Sequence, residues 1–246
     1  MEACAENNME LMILDRPNPN GFYVDGPVLQ MKYSSFVGMH PVPVVHGMTI
    51  AEYAQMINGE HWLKNSVQCK LHIVKCKFYN HERLYSLPVK PSPNLPNLSS
   101  VYLYPSLCFL EGTPVSVGRG TLFPFQQIGA PELKGKYTYY FTPQSIAGMS
   151  KNPPHEQEAC YGIDLRDYDV AKFTTEKKLN LSWLIEMYNN YPEKDIFFTP
   201  FFEKLAGTDQ LREQIKQGKT EKQIRASWQK DLSKFKKVRK KYLLYD

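Results

Sequence analysis

The chain has no CxxC pair, and its five cysteines (Cys4, Cys69, Cys76, Cys108 and Cys160) are an odd number. The first absence excludes a zinc ribbon or dithiol motif, and the second argues against a disulfide framework. Cys69, Cys76 and Cys108 sit among apolar neighbours and read as small core residues. His61, His72, His81 and His155 lie in unrelated contexts with no HxH or HExxH spacing, so no metal site is expected. The glycines at 112, 118 and 120 match neither a P-loop nor GxGxxG, and no GxSxG elbow occurs. Nucleotide binding and serine-hydrolase chemistry therefore have no support, and no cofactor is expected. No apolar run approaches membrane-spanning length. Met1–Asn8 lacks the basic and apolar regions of a signal peptide. There is no internal repeat.

The sequence is otherwise that of an ordinary globular protein: 246 residues, 42% hydrophobic and 22% charged, enough for one large or two modest domains. Aromatics make up 13%, with 16 Tyr and 13 Phe. Most of these fill a core, although exposed rings also suit the apolar faces of sugars. The net charge of +5 is uneven. Lys204–Asp246 carries 13 Lys and Arg against 5 Asp and Glu, leaving 17 against 20 elsewhere. Such a basic stretch either meets an anionic partner or forms the solvated face of a helix.

Met1–Asn8 reads as the last turns of a helix, and Met9–Leu14 as a short buried strand. Asp15-Arg-Pro-Asn-Pro-Asn-Gly21 follows as a stiff polar turn. A helix end feeding a strand is half of a βαβ unit. This is the basis for expecting Met1 to be an internal methionine of a longer protein, unless later strands complete the sheet. Phe22–Val45 reads as loop with short strands. Thr49–Asn58 is a helix capped by Thr49, with Ile50, Tyr53, Ala54 and Ile57 on its apolar face and Gly59 closing it. Val67–Phe78 is β-rich, with a slip at Ile73-Val74 that suggests a bulge or a strand buried at one end. Pro88–Pro96 is too proline-dense for regular structure. Val101–Leu110 reads as buried extended chain. Beyond Gly135 the pattern is α+β, with strands over Tyr137–Thr142 and Ala159–Leu165 and helices over Leu179–Tyr191 and Gln210–Gln217. A final helix opens on the capping box Thr220–Gln223 and buries Ile224, Trp228, Leu232, Phe235, Val238 and Tyr242.

Three polar clusters are candidate sites. Glu111-Gly-Thr-Pro-Val-Ser-Val-Gly-Arg-Gly-Thr121 puts a carboxylate, a guanidinium and hydroxyls on a glycine-rich segment. Glu111 and Arg119 there either pair with each other or hold a polar ligand. Asp15, Arg16 and Asn18 follow a strand, where ligands of open α/β sheets bind, or else form a salt bridge and an Asx-turn. His46 precedes a capped helix, where it either binds an anion or bonds to nearby backbone. For glycoside hydrolysis two carboxyls are needed. Glu111 is the best candidate in the chain, with no evident second, so the catalytic assignment stays open.

Taken in order, Leu14–Gly21, Pro43-Val-Val-His-Gly-Met-Thr-Ile50, Pro91-Ser-Pro-Asn-Leu-Pro96, Glu111–Thr121 and Gly129-Ala-Pro131 resemble the exo-β-N-acetylmuramidase (NamZ-like) family. That family was formerly a domain-of-unknown-function family and is common in Bacteroidetes. The resemblance runs over essentially the whole chain, to Leu243-Leu-Tyr245. It implies the tail end of a Rossmann-like domain (residues 1–48, with the connection) followed by a mixed α+β C-terminal domain (residues 49–246). Family members carry an upstream half with a Pro-Glu-His-Gly segment whose Glu is the favoured acid/base, and no position here matches it. By resemblance the protein is a glycosidase releasing N-acetylmuramic acid from the non-reducing end of peptidoglycan fragments, periplasmic or secreted at full length. Arg119 or Arg16 would meet the lactyl carboxylate. Asn18, Asn94 and His46 would bond hydroxyls or the N-acetyl group, and Glu111 would orient Arg119 or bind a hydroxyl. The expected partners are peptidoglycan-derived saccharides, not nucleic acid, and a domain cut through its sheet would self-associate. The alternatives are a non-catalytic carbohydrate-binding module and a basic interaction module built on the last helix.

Overall fold

A computed structural model describes residues 1–245. Its elements form a mixed α/β arrangement of small sheets surrounded by helices. A short helix α1 (Glu2–Glu6) leads into β1 (Glu10–Leu14). The antiparallel pair β2 (Asp25–Val28) and β3 (Pro43–Val45) follows, then helix α2 (Ile50–Gly59). Strand β4 (Lys70–Val74) then runs parallel to β1 in unbroken register from Glu10↔Lys70 to Leu14↔Val74. A later strand thus does supply β1 with a parallel neighbour, and the expected bulge at Ile73-Val74 is absent. The strand is also shorter than Val67–Phe78.

β1 is not the buried strand expected from Met9–Leu14. Leu11 and Leu71 pack inward with Ile57 and Leu63, but Met12 and Leu14 are 61% and 67% exposed. A two-stranded ribbon has only one face to bury, so the other apolar face stays uncovered. Thr49 caps α2 with a full capping box to Glu52, as expected, but Ile50 is exposed and the buried positions are Ala51, Glu52, Ala54, Met56 and Ile57. Gly59 does not close the helix as a left-handed residue. It lies within α2 because the Tyr242 ring sits where a side chain would be.

Val101–Leu110 is the largest correction. The segment is helix α3 (Leu98–Leu107) followed by a 3-10 turn, Cys108–Gly112, not extended chain. It is apolar on every side, so it lacks the periodicity that separates helix from strand. Asn97 starts it with a capping box to Ser100. Pro105 within the helix leaves the Val101 carbonyl without its amide partner. The Asn20 side chain fills the gap, its Nδ2 donating to that carbonyl at 3.1 Å.

The remainder holds a three-stranded antiparallel sheet of β5 (Gln127–Ala130), β6 (Tyr140–Phe141) and β7 (Cys160–Asp164), in the order β5-β7-β6. Five helices follow: α4 (Ala171–Glu176), α5 (Ser182–Asn190), α6 (Phe202–Ala206), α7 (Gln210–Lys216) and α8 (Glu221–Arg239). The expected helices over Leu179–Tyr191 and Gln210–Gln217 are α5 and α7, slightly shortened. α8 opens on the Thr220–Gln223 capping box and buries Ile224, Trp228, Leu232 and Phe235, as its spacing demands. The first three join the main core with Leu107, Phe109 and Leu110. Phe235 instead packs with Met48 and Met56, next to Val238 and Tyr242. Cys69, Cys108 and Cys160 are buried, Cys4 and Cys76 only partly so, and all five are free thiols.

Candidate functional site

A cleft of about 810 Å³ opens between two walls. One is built from residues 18–57 and includes Asn18, Asn20, His40, His46 and Tyr53. The other carries Tyr104, Cys108 and Glu111 from α3 and its 3-10 extension, with Phe201 and Lys204 around the start of α6. Phe36, Val37 and Met39 give it an apolar lip, with Phe36 98% exposed.

The first wall is set by the turn at residues 46–49. Gly47 has φ +62, and a Cβ there would stand 2.5 Å from the Tyr23 carbonyl, so both backbone and space demand glycine. The turn brings the Met48 amide to His46 Nδ1 at 3.1 Å. Nδ1 therefore accepts and the proton of the neutral ring sits on Nε2, an assignment made from this hydrogen bond. The ring stacks on Tyr53 with centroids 5.1 Å apart, and Tyr53 Oη lies 2.8 Å from His40 Nδ1. Burial first, then the charge of Arg239, holds the His46 pKa down to about 4, with Glu52 opposing. His46 is thus a neutral donor at physiological pH. Burial pushes the Tyr53 hydroxyl up to about 12. Asn18 Nδ2 donates to the Met48 carbonyl at 2.9 Å, and its Oδ1 closes an Asx-turn by accepting from the Asn20 amide.

On the second wall, Glu111 Oε2 accepts from Arg119 Nη1 at 3.2 Å. Burial raises the Glu111 carboxyl above its ordinary value even though Arg119 pulls the other way. Gly112 lets α6 approach, since a Cβ there would stand 2.6 Å from the Phe202 Cα.

The residues expected at a site separate into two groups. Asn18, His46 and Glu111 line the cleft together. Asp15, Arg16, Asn94 and Arg119 do not belong to its lining. Asp15 is occupied by structure: Oδ2 accepts from the hydroxyls of Thr49 at 2.7 Å and Tyr245 at 2.6 Å, and Oδ1 from the Ala51 amide at 3.0 Å. Arg16 is exposed. Asn94 Nδ2 donates to the Met149 carbonyl at 3.0 Å. Arg119 reaches the cleft only through Glu111.

Sequence reasoning missed Asn20, His40, Tyr53, Tyr104 and Lys204. From sequence Tyr53 and Tyr104 read as core, and the proximity of His40 to His46 in the chain is the one available signal. Among the described residues no group of three or more His, Cys, Asp or Glu is placed to hold a metal ion.

A concave, mostly apolar cleft with a few converging polar groups, set between segments distant in sequence, is the arrangement of a small-molecule site in a mixed α/β protein. The chain belongs to the exo-β-N-acetylmuramidase NamZ family: the model of its N-terminal part matches residues 1–99 and that of its C-terminal part residues 102–245. It is 38% identical over 260 residues to a protein of Bacillus subtilis (strain 168) named peptidoglycan beta-N-acetylmuramidase NamZ. That alignment covers 100% of this chain, which spans 62% of the length of the relative. Two crystal structures of DUF1343 family proteins from Bacteroides fragilis NCTC 9343 superpose on it. One has a TM-score of 0.96 at 52% identity and the other 0.80 at 28%, each covering 100% of this chain and 69% of the other.

Proposed function

We propose that the cleft binds an N-acetylmuramic acid unit at the non-reducing end of peptidoglycan fragments, and that the protein takes part in its release as a glycosidase of the exo-β-N-acetylmuramidase type. The observation that carries this reading is the convergence of His46, Asn18 and Glu111 on one cleft, in a chain of that family. An acetamido carbonyl accepts from a neutral Nε2–H without bringing a charge. A glycosidase also needs a carboxylic acid that keeps its proton near neutral pH, and burial moves Glu111 in that direction. Lys204, on the same wall as Glu111, is a cation for a lactyl carboxylate. Arg119, which braces Glu111, has a positioning role in this reading. A substrate of this kind fits a periplasmic or secreted protein.

In the same reading, β1, α2 and β4 are the tail of a Rossmann-like layer. In this reading the division lies later than the expected 1–48 and 49–246; the parallel pairing of β4 with β1 and a first family model that matches residues 1–99 support this. The uncovered Met12, Leu14 and Val74 support self-association through that ribbon.

One observation favours the alternative of a non-catalytic carbohydrate-binding module. Glu111 is the single carboxylate lining the cleft among the described residues, whereas glycoside hydrolysis normally uses two. Incubation with the muramyl–glucosamine disaccharide separates the two readings. Release of free N-acetylmuramic acid, lost in Glu111→Gln, supports the glycosidase. Binding without release supports the module, and neither binding nor release refutes both.

A further inference from the structure

Helix α8 and the strap that follows it reach back across the molecule to the wall that carries His46. Arg239 Nε donates to the His46 carbonyl at 3.1 Å, and its Nη2 donates to the Gly47 carbonyl. The next contacts come from the strap itself. The Leu244 amide donates to Glu52 Oε1 at 2.8 Å, and the Tyr245 hydroxyl donates to Asp15 Oδ2 at 2.6 Å while accepting from the Cys76 amide at 2.9 Å. Asp15 and Glu52 are the two carboxylates that cap α2, through Thr49 and Ala51. The His46 and Gly47 carbonyls are therefore held directly, and the Thr49 and Ala51 amides at one remove, by residues some 190 positions later. Arg239 is half-buried, and burial lowers its pKa from the ordinary guanidinium value. A buried cation is expensive to keep, so its two carbonyl partners mark a site of positioning, not of casual packing.

We infer that Arg239, with the Leu244–Tyr245 strap, is the positioning device of the cleft: it fixes the 46–49 turn so that His46 keeps Nδ1 as acceptor and offers Nε2–H to the ligand. This rests on the reading of the cleft as a saccharide site. Neither Arg239 nor Tyr245 lines the cleft, so Arg239 acts through His46 and Gly47, and Tyr245 through Asp15 and the start of α2. The charged groups that bear on the imidazole are Arg239 and Glu52, and the ring stacked on it is Tyr53.

The test uses the full 246-residue chain with labelled histidine, as wild type and as Arg239→Gln, Arg239→Lys and Tyr245→Phe. Imidazole nitrogen shifts of His46 report its tautomer. Amide exchange at Met48 and Ala51 reports the turn, and titration with N-acetylmuramic acid reports the ligand. Arg239→Gln should move His46 from a single tautomer to a mixture, speed exchange at Met48 and weaken N-acetylmuramic acid about tenfold, the scale of a lost charge-assisted hydrogen bond. Arg239→Lys, which keeps one donor, should recover part of each change. Tyr245→Phe removes one hydroxyl and should speed exchange at Ala51; it decides the question if Arg239→Gln does not fold. Folded variants with unaltered His46 shifts and unaltered exchange at both amides would overturn the inference. If the wild type binds no N-acetylmuramic acid, the saccharide reading falls, while the shifts and exchange still decide the role of the clasp.

Discussion

His46 makes stability depend on pH between pH 7 and pH 5. The unfolded chain protonates this histidine near pH 6.5 and the folded chain only near pH 4. Acid therefore favours the unfolded state: the stability is whole above pH 6.5 and is lost as pH falls through that value toward 4. The complete displacement corresponds to about 3 kcal/mol, of which about 2 kcal/mol is lost between pH 7 and pH 5. Glu52 acts at lower pH. Its carboxyl is held below the ordinary value of 4.5 by His81 and the Leu244 and Thr49 amides against the opposing cost of burial, so its contribution is lost only as pH drops beneath that value. Urea unfolding of the wild type and His46→Asn at pH 7, 6 and 5 isolates the effect. Asparagine keeps an acceptor for the Met48 amide but cannot titrate, and the other histidines contribute equally to both proteins. The wild type should lose about 2 kcal/mol more than the variant between pH 7 and pH 5. Parallel pH profiles would refute the buried, neutral state of His46, and with it the donor role of Nε2–H.

Two further outcomes follow from the packing. Gly47→Ala should cost about 2–4 kcal/mol, from the left-handed backbone and the clash with the Tyr23 carbonyl. Gly218→Ala shares the positive φ but has no neighbour within 4 Å and should cost only about 1 kcal/mol; equal losses in thermal unfolding would remove the steric argument. Self-association through the β1–β4 ribbon should be abolished by Leu14→Lys on its exposed face. Sedimentation velocity at rising concentration checks this, and a wild type that stays monomeric would dismiss it.

Legibility in the sequence followed the strength of local signals. α8 is legible because its apolar positions recur at three and four and its cap is explicit, although Val238 and Tyr242 are only half-buried and Tyr242 lies past its end. The cap discloses α2, and Ala54 and Ile57 are buried as expected, but Ile50 is exposed, Tyr53 is half-buried, and Glu52 is buried although nothing in its residue type announces it. α3 was missed because an all-apolar segment has no face to report, and its proline is tolerated only through Asn20, a contact spanning 81 positions that no local window contains. The cleft was legible in the same uneven way. His46 and Glu111 stood out on glycine-bearing segments. Asp15 looked like a ligand, yet its three partners come from Thr49, Ala51 and Tyr245, and only the fold could disclose that they were already in place.

The cleft and the clasp have one structural cause. The wall that bears His46 lies within the part matched by the family's N-terminal model, and the wall that bears Glu111 within the part matched by the C-terminal model. A site shared in this way keeps its geometry only if something rigid spans the join. α8 does so. Arg225 near its start is bonded to Asp25 at 2.7 Å and to the Leu179 carbonyl. Ile224, Trp228 and Leu232 lock it into the core that supports Glu111. Phe235 and Arg239, about three and about four turns beyond Arg225, grip the loop that supports His46. Lys222, Lys230, Lys234, Lys236 and Lys237, part of the basic stretch that suggested an anionic partner, occupy the outer face of this strut. Its inner face fixes the separation of the two walls, so a substitution that tilts α8 should alter ligand affinity without touching a single cleft residue.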